Sequence, residues 1–299
     1  MKFNFFTDFN VETIFTSRGP ICFRALGNGP PLLMLHGNPQ THAMWHLVAP
    51  QLAKKYMVIC PDICGYGQSF KPACSSDHAA YSKMAMAHDM IEMMDLLGHN
   101  KFYLAGHDRG ARVAHRLAID YPHRVYKMAL LDIVPTLEHF ERVDIDFALG
   151  YYHWFWLAQP HPFPEILINK APEDWFYTHT SREPKTAAFF HPDALVDYLK
   201  SIRNPEMIRG MCEDYRAAAS IDLVHDKLSR KMGAKINCPL LTIWGKNGKI
   251  GKWYNSTEIW SDYCNSSVEG IELNSGHYIA EEEPQELILH FQSFFKSTY

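Results

Sequence analysis

The 299-residue sequence contains no run of about eighteen consecutive apolar residues, so no segment reads as a membrane-spanning helix. It also lacks a Lys/Arg run, a basic stripe or a basic amphipathic segment, and its net charge of −4 arises from charges mixed along the chain. Nucleic acid and anionic membranes are therefore not expected as partners. The first ten residues are aromatic and polar and lack the apolar core of a signal peptide. Seven cysteines (Cys22, Cys60, Cys64, Cys74, Cys212, Cys238 and Cys264) are scattered, odd in number and free of any C-x-x-C pair. That pattern argues against a disulfide framework or structural zinc and for reduced thiols in the cytoplasm. Internal repeats and low-complexity tracts are missing as well. Seventeen histidines invite a metal reading, but only one or two stand where chemistry is expected, and no metal or organic cofactor is implied.

Apolar residues make up 47% of the chain, which suits one large α/β domain carrying an insertion. Short apolar runs at 31–37, 56–62, 102–108, 126–134 and 239–245, with a weaker one at 268–274, end at small or polar residues, as buried parallel strands do. Helical patterns such as 81–97 and 111–121 separate them. This alternation predicts a mostly parallel sheet with helices on both faces, and residues 3–25 read as an antiparallel pair at its edge. From about residue 135 to 214 the strand pattern vanishes, while aromatics such as Tyr151, Tyr152, Trp154, Phe155, Trp156 and Trp175 crowd in. We read 135–214 as an inserted helical lid (cap), and 1–134 with 215–299 as the α/β core.

The strand at 102–105 runs into Gly106-His107-Asp108-Arg109-Gly110 and then into a helical pattern. That is the strand–turn–helix setting of a G-x-nucleophile-x-G elbow, with Asp108 where Ser is usual. A serine attacking a saturated carbon would form an ether that water does not cleave under mild conditions. A carboxylate forms an ester, which a histidine and an oxyanion hole can hydrolyse. Asp108 therefore points to substitution at an sp³ carbon. His36-Gly37-Asn38-Pro39 ends the third strand, the apolar run at 31–37, where backbone N–H groups of Asn38 and Arg109 would form the oxyanion hole. Asn274-Ser275-Gly276-His277 follows the last strand and makes His277 the general base. The usual acid position, in a W-G-x-x-D turn, reads Trp244-Gly245-Lys246-Asn247-Gly248 and holds no carboxylate. Asp132, closing Leu130-Leu131-Asp132, is the substitute; a carboxylate there needs a partner, and the His277 ring supplies one.

These motifs resemble the α/β-hydrolase superfamily, in its dehalogenase and epoxide-hydrolase branch. Within that branch, Gly106-His107-Asp108-Arg109-Gly110-Ala111-Arg112 looks like the fluoroacetate (haloacetate) dehalogenase family, and the resemblance runs from about residue 20 to the C-terminus. Haloalkane dehalogenases and epoxide hydrolases usually carry Trp where this chain has Arg109. The resemblance implies that His153, Trp154 and Tyr215 hold the departing halide, that Arg109 and Arg112 hold the substrate carboxylate, and that the protein is a homodimer. Physical chemistry agrees on the arginines: three apart at a helix start, they share a face beside the nucleophile, and guanidinium suits bidentate carboxylate recognition. Two departures stand out. Asn38 occupies a position where the family usually has Phe, and Cys64 replaces a usual Arg, which we read as a packing change remote from the chemistry.

The expected reaction is hydrolytic dehalogenation of small haloacids such as fluoroacetate and chloroacetate to glycolate and halide. An epoxide hydrolase with the same triad, using Tyr215 and Tyr152 as acids, is the first rival. A non-catalytic receptor built on a hydrolase scaffold is the second.

Overall fold

A computed structural model describes residues 6, 8–181 and 188–296. Its centre is an eight-stranded sheet: β1 (Asn10–Phe15), β2 (Pro20–Leu26), β3 (Pro31–Leu35), β4 (Met57–Pro61), β5 (Phe102–His107), β6 (Val125–Leu131), β7 (Leu240–Gly245) and β8 (Val268–Leu273), in the order β1-β2-β4-β3-β5-β6-β7-β8. β2 pairs antiparallel with β1 and β4, and β3 to β8 run parallel. Burial follows position. Every residue of the central β5 is buried, whereas the edge strand β1 is mostly exposed. Continuous apolar sequence thus marks the middle of the sheet, where both faces are covered.

The parallel strands end together, and their C-terminal ends carry the polar residues singled out in the sequence. β5 stops one residue before Asp108, because Asp108 already opens the helix Asp108–Asp120. The lid lies between β6 and β7. Helices Thr136–Glu141, Ile145–Gly150, Tyr152–Trp156, Phe163–Lys170, Pro172–Ser181 and Pro192–Ile202 succeed one another, followed by Pro205–Ala218 and Ile221–Lys231. The expected boundary at 214/215 falls inside the unbroken helix Pro205–Ala218. Cys64 is buried in the main apolar cluster, consistent with a packing role. Among the described residues, no helix is long and apolar enough to cross a membrane.

Candidate active site

The elbow is a strained turn. Asp108 has a φ of 45°, a left-handed conformation that a non-glycine residue adopts only when its surroundings impose it. Gly110 permits the helix to lie directly on β3: a Cβ there would sit 2.3 Å from the His36 carbonyl oxygen. Gly37 performs the same service for the loop after β3, where a Cβ would meet that of Asp108 at 2.6 Å. This close approach lets the Asn38 N–H donate to Asp108 Oδ1 at 2.9 Å. The Arg109 N–H belongs to the first turn of its helix, where backbone N–H groups have no intrahelical acceptor.

His277 Nδ1–H donates to Asp132 Oδ2 at 2.6 Å, and its Nε2 faces Asp108 Oδ2 from 4.0 Å. That hydrogen bond selects the tautomer with a free Nε2 lone pair, the one a general base requires. Asp132 is itself held in a left-handed turn, φ 52°, and its Oδ1 accepts the Gly245 N–H at 3.1 Å. The end of β7 therefore contributes a backbone amide to Asp132 and no carboxylate. Burial by itself would raise the Asp108 carboxyl, but the charges of His277, His107, Arg109 and Arg112 overcome it and hold the group well below the carboxylate range. Burial would lower His277; its hydrogen bond to Asp132 and the charges of Asp132 and Asp108 outweigh that and raise it.

His107, which sequence reasoning passed over as the variable residue of the elbow, is buried behind this pair. Its Nε2–H donates to the His277 carbonyl at 2.8 Å, and the two rings lie 4.6 Å apart. Burial, reinforced by the neighbouring His277, depresses it to about 3, so it stays neutral. His107 thus anchors the backbone of His277.

The two arginines part company. Arg112 lines a cavity of about 300 Å³ together with Asp108, Asp132 and His277. It is buried, yet among the described residues its hydrogen bonds go only to the Val134 carbonyl and the Thr136 hydroxyl, both at 3.1 Å, and its Nε has no partner. Burial and the charge of Arg109 lower it to about 10, which leaves it a cation at neutral pH. Arg109 is fully buried, does not line the cavity, and is claimed by a lid carboxylate. Its Nε and Nη2 donate to Asp214 Oδ2 and Oδ1 at 2.8 and 2.6 Å.

The lid brings His153, Trp154 and Tyr215 to the same cavity. Trp154 and Tyr215 meet edge to face with centroids 6.1 Å apart, and the Arg112 guanidinium lies 4.6 Å from the centre of the Trp154 ring. Further side chains went unnoticed in the sequence. His179, from helix Pro172–Ser181, accepts from Asn38 Nδ2 at 3.2 Å and stacks on Trp175. Asn38 Nδ2 also reaches the Tyr215 hydroxyl at 3.4 Å, so the residue that departs from the family pattern joins the lid donors. Lys249, beyond the turn after β7, stands on the cavity wall. Tyr151 lines the cavity too, whereas Tyr152, the phenol expected for epoxide opening, is 43% exposed outside it. No short motif marks His179 or Tyr151, and only the path of the lid brings them in. A separate cavity of about 270 Å³, beneath helix Ile221–Lys231, contains none of Asp108, Asp132 and His277.

Residues 30–284 match the sequence profile of the alpha/beta hydrolase fold. A fluoroacetate dehalogenase of Burkholderia sp is 41% identical over 261 residues, 87% of this chain and 85% of that protein. A soluble epoxide hydrolase of Corynebacterium sp. (strain C12) is 30% identical over 272 residues, 90% of this chain and 91% of its own. Among solved structures, ALR0039 of Nostoc sp PCC 7120, described as an alpha/beta hydrolase, superposes with a TM-score of 0.94 at 46% identity. The superposition covers 97% of this chain and 99% of that one.

Proposed function

Because the chain belongs to the fluoroacetate dehalogenase family of the α/β-hydrolases, we propose that it hydrolyses small haloacids, fluoroacetate and chloroacetate among them, to glycolate and halide. The observation that carries this reading is Arg112: a buried cation on the cavity wall, close to the nucleophile, with no carboxylate partner among the described residues. A buried charge without a counter-ion is costly. An anionic substrate removes that cost on binding, and a neutral haloalkane or epoxide does not.

In the first half-reaction Arg112, with Arg109 beside it, holds the substrate carboxylate. Asp108 Oδ2 attacks the α-carbon from behind the carbon–halogen bond, because Oδ1 is engaged by the Asn38 N–H. The carbon–halogen bond breaks, an ester forms on Asp108, and the halide leaves towards His153, Trp154 and Tyr215. All three can donate a hydrogen bond. Fluoride is strongly hydrated in water, and aimed donors replace that hydration in the transition state. In the second half-reaction His277 Nε2 takes a proton from water, whose oxygen attacks the ester carbonyl carbon. The N–H groups of Asn38 and Arg109 hold the oxyanion. Collapse expels the glycolate oxygen, which receives the proton from His277, and leaves the second proton of the water on Asp108. Loss of that proton to solvent through the freed His277 Nε2 returns the Asp108 carboxylate.

Epoxide hydrolysis is the second reading, favoured by the phenols of Tyr151 and Tyr215 on the cavity wall. One panel separates the two: fluoride and chloride release from haloacetates, against diol formation from styrene oxide. Halide release confined to the haloacids supports the proposal, and turnover of styrene oxide with none of haloacetate overturns it. A homodimer accompanies the proposal, supported by the exposed apolar side chains Ile145, Leu149, Phe163 and Ile166 on the lid. Light scattering in solution tests it.

A further inference from the structure

Three donors, from Arg109, Lys83 and Tyr66, converge on the carboxylate of Asp214. Arg109 comes from the elbow helix and Asp214 from the lid helix Pro205–Ala218. Lys83 opens the helix Lys83–Leu96, and Tyr66 lies in the loop after β4. Asp214 takes the Nε/Nη2 edge of Arg109 in a two-point fork, and its backbone carbonyl accepts a further bond from Nη2 at 2.9 Å. Lys83 Nζ donates to Asp214 Oδ1, while the Tyr66 hydroxyl donates to Oδ2 at 2.8 Å. All of these groups are buried. Nη1 of Arg109 is left: a buried, charged nitrogen with no hydrogen-bond partner among the described residues. The Tyr215 ring lies 4.3 Å from this guanidinium and the Trp154 ring 5.7 Å from it, and both side chains line the cavity.

A cluster of this kind is a poor device for stability, because desolvating the charges offsets their attraction and apolar side chains would pack as well. It is a good device for orientation. A guanidinium is planar, so fixing one edge fixes the direction of the remaining corner. Leaving that corner without a partner carries a desolvation penalty, which a ligand anion would relieve. Asp214 is kept fully ionised for this task. Burial would raise it, but the adjacent Arg109 and Lys83 overcome that and hold it at about 2.

We propose that Asp214, braced by Lys83 and Tyr66, is a positioning residue that turns the Nη1 corner of Arg109 to the carboxylate of the substrate. This rests on the haloacid reading above. It divides the carboxylate grip unequally: Arg112 meets the substrate from the cavity wall, and Arg109, which lies outside that wall against the Trp154 and Tyr215 rings, meets it only through the corner that Asp214 directs.

The test uses the full chain with Asp214→Asn and Tyr66→Phe, measuring affinity for the product glycolate by calorimetry alongside chloroacetate kinetics and thermal stability. Asp214→Asn keeps the size of the side chain but loses the charged fork. Glycolate affinity and KM for chloroacetate should each worsen about tenfold, with a smaller change in kcat. Tyr66→Phe removes one of the bonds that brace Asp214, and should weaken glycolate about threefold in the same direction with a near-normal melting temperature. A merely structural role predicts lower stability with glycolate affinity unchanged, and that result overturns the proposal. If Asp214→Asn does not fold, Tyr66→Phe decides alone: wild-type glycolate affinity in it is equally fatal. Failure of the haloacid reading looks different, since the wild-type protein would then release no halide from any haloacetate.

Discussion

The floor and the roof of the cavity are held by different forces. The floor consists of strand ends: Asp108, Asp132 and His277 are charged or chargeable, and backbone amides or left-handed turns fix both carboxylates. The roof consists of lid helices, where His153, Trp154, Tyr215 and His179 touch chiefly through ring edges and faces. Geometry imposed by the backbone is hard to displace, and ring packing is adaptable. Under the proposed mechanism, the floor would determine which bond-making chemistry occurs, while the roof would tune which leaving group is favoured.

The sharpest way to break this division is to disable the floor. His277→Asn removes the base, and by the scale of triad deletions turnover should fall by about 10⁴-fold. The ester should then accumulate, visible by mass spectrometry as added mass on the peptide containing Asp108. In wild-type protein, a single turnover in ¹⁸O-water should place label in Asp108; label in the product alone would mean that water attacks carbon directly. The carboxylate grip comes next. Arg112→Leu should lower kcat/KM on haloacetates by roughly 10²–10³-fold, the scale of a truncated buried charge pair. Arg112→Lys should retain a small part, and equal wild-type activity on chloroacetate and chloroacetamide would remove the basis for this role.

Changes to the roof should cost less and should depend on the halide. Trp154→Phe and Tyr215→Phe each delete one donor while keeping the ring. Each should depress kcat on fluoroacetate by on the order of 10²-fold, with a smaller loss on chloroacetate. Equal losses on both substrates would make these residues packing. The pH profile joins the two halves. As the proposed base His277 would act only when neutral, so ester hydrolysis should slow as pH falls through its pKa. In the free protein that pKa lies above the ordinary histidine value, through Asp132 and the Asp108 charge. Esterification removes the Asp108 charge, so the acid limb of the hydrolysis step should fall at lower pH than the free-protein titration of His277 followed by NMR. The smallest effect is expected of Asn38→Phe, which restores the residue usual in the family and removes the donor to His179 and Tyr215. A few-fold shift in the fluoride-to-chloride ratio, measured by halide release, is the expected outcome.

Much of the site was legible because its motifs encode local backbone geometry. Gly106 to Gly110 could be read as an elbow since glycines at close approach and a nucleophile between them are sequence-local facts. The missing carboxylate in the Trp244–Gly245 turn directed attention to Asp132, and the 2.6 Å bond to His277 joins the two. The lid resisted such reading. Its aromatic composition announced helices without strands, but composition does not say which ring turns inward, and Tyr151 rather than Tyr152 lines the cavity.

Sequence alone therefore determined the α/β architecture, the inserted lid and the aspartate at the elbow, because periodicity, turn residues and strand–turn–helix order act over a few neighbouring positions. Only the tertiary structure decided how the two arginines differ. Arg109 and Arg112 share a helix and are three residues apart, and nothing in that spacing separates them. Asp214, more than a hundred residues away on the lid, claims Arg109, and no carboxylate reaches Arg112 among the described residues. Which buried charge is paired and which stays available depends on the elements that fold over it, and that information lies in the packing of distant segments.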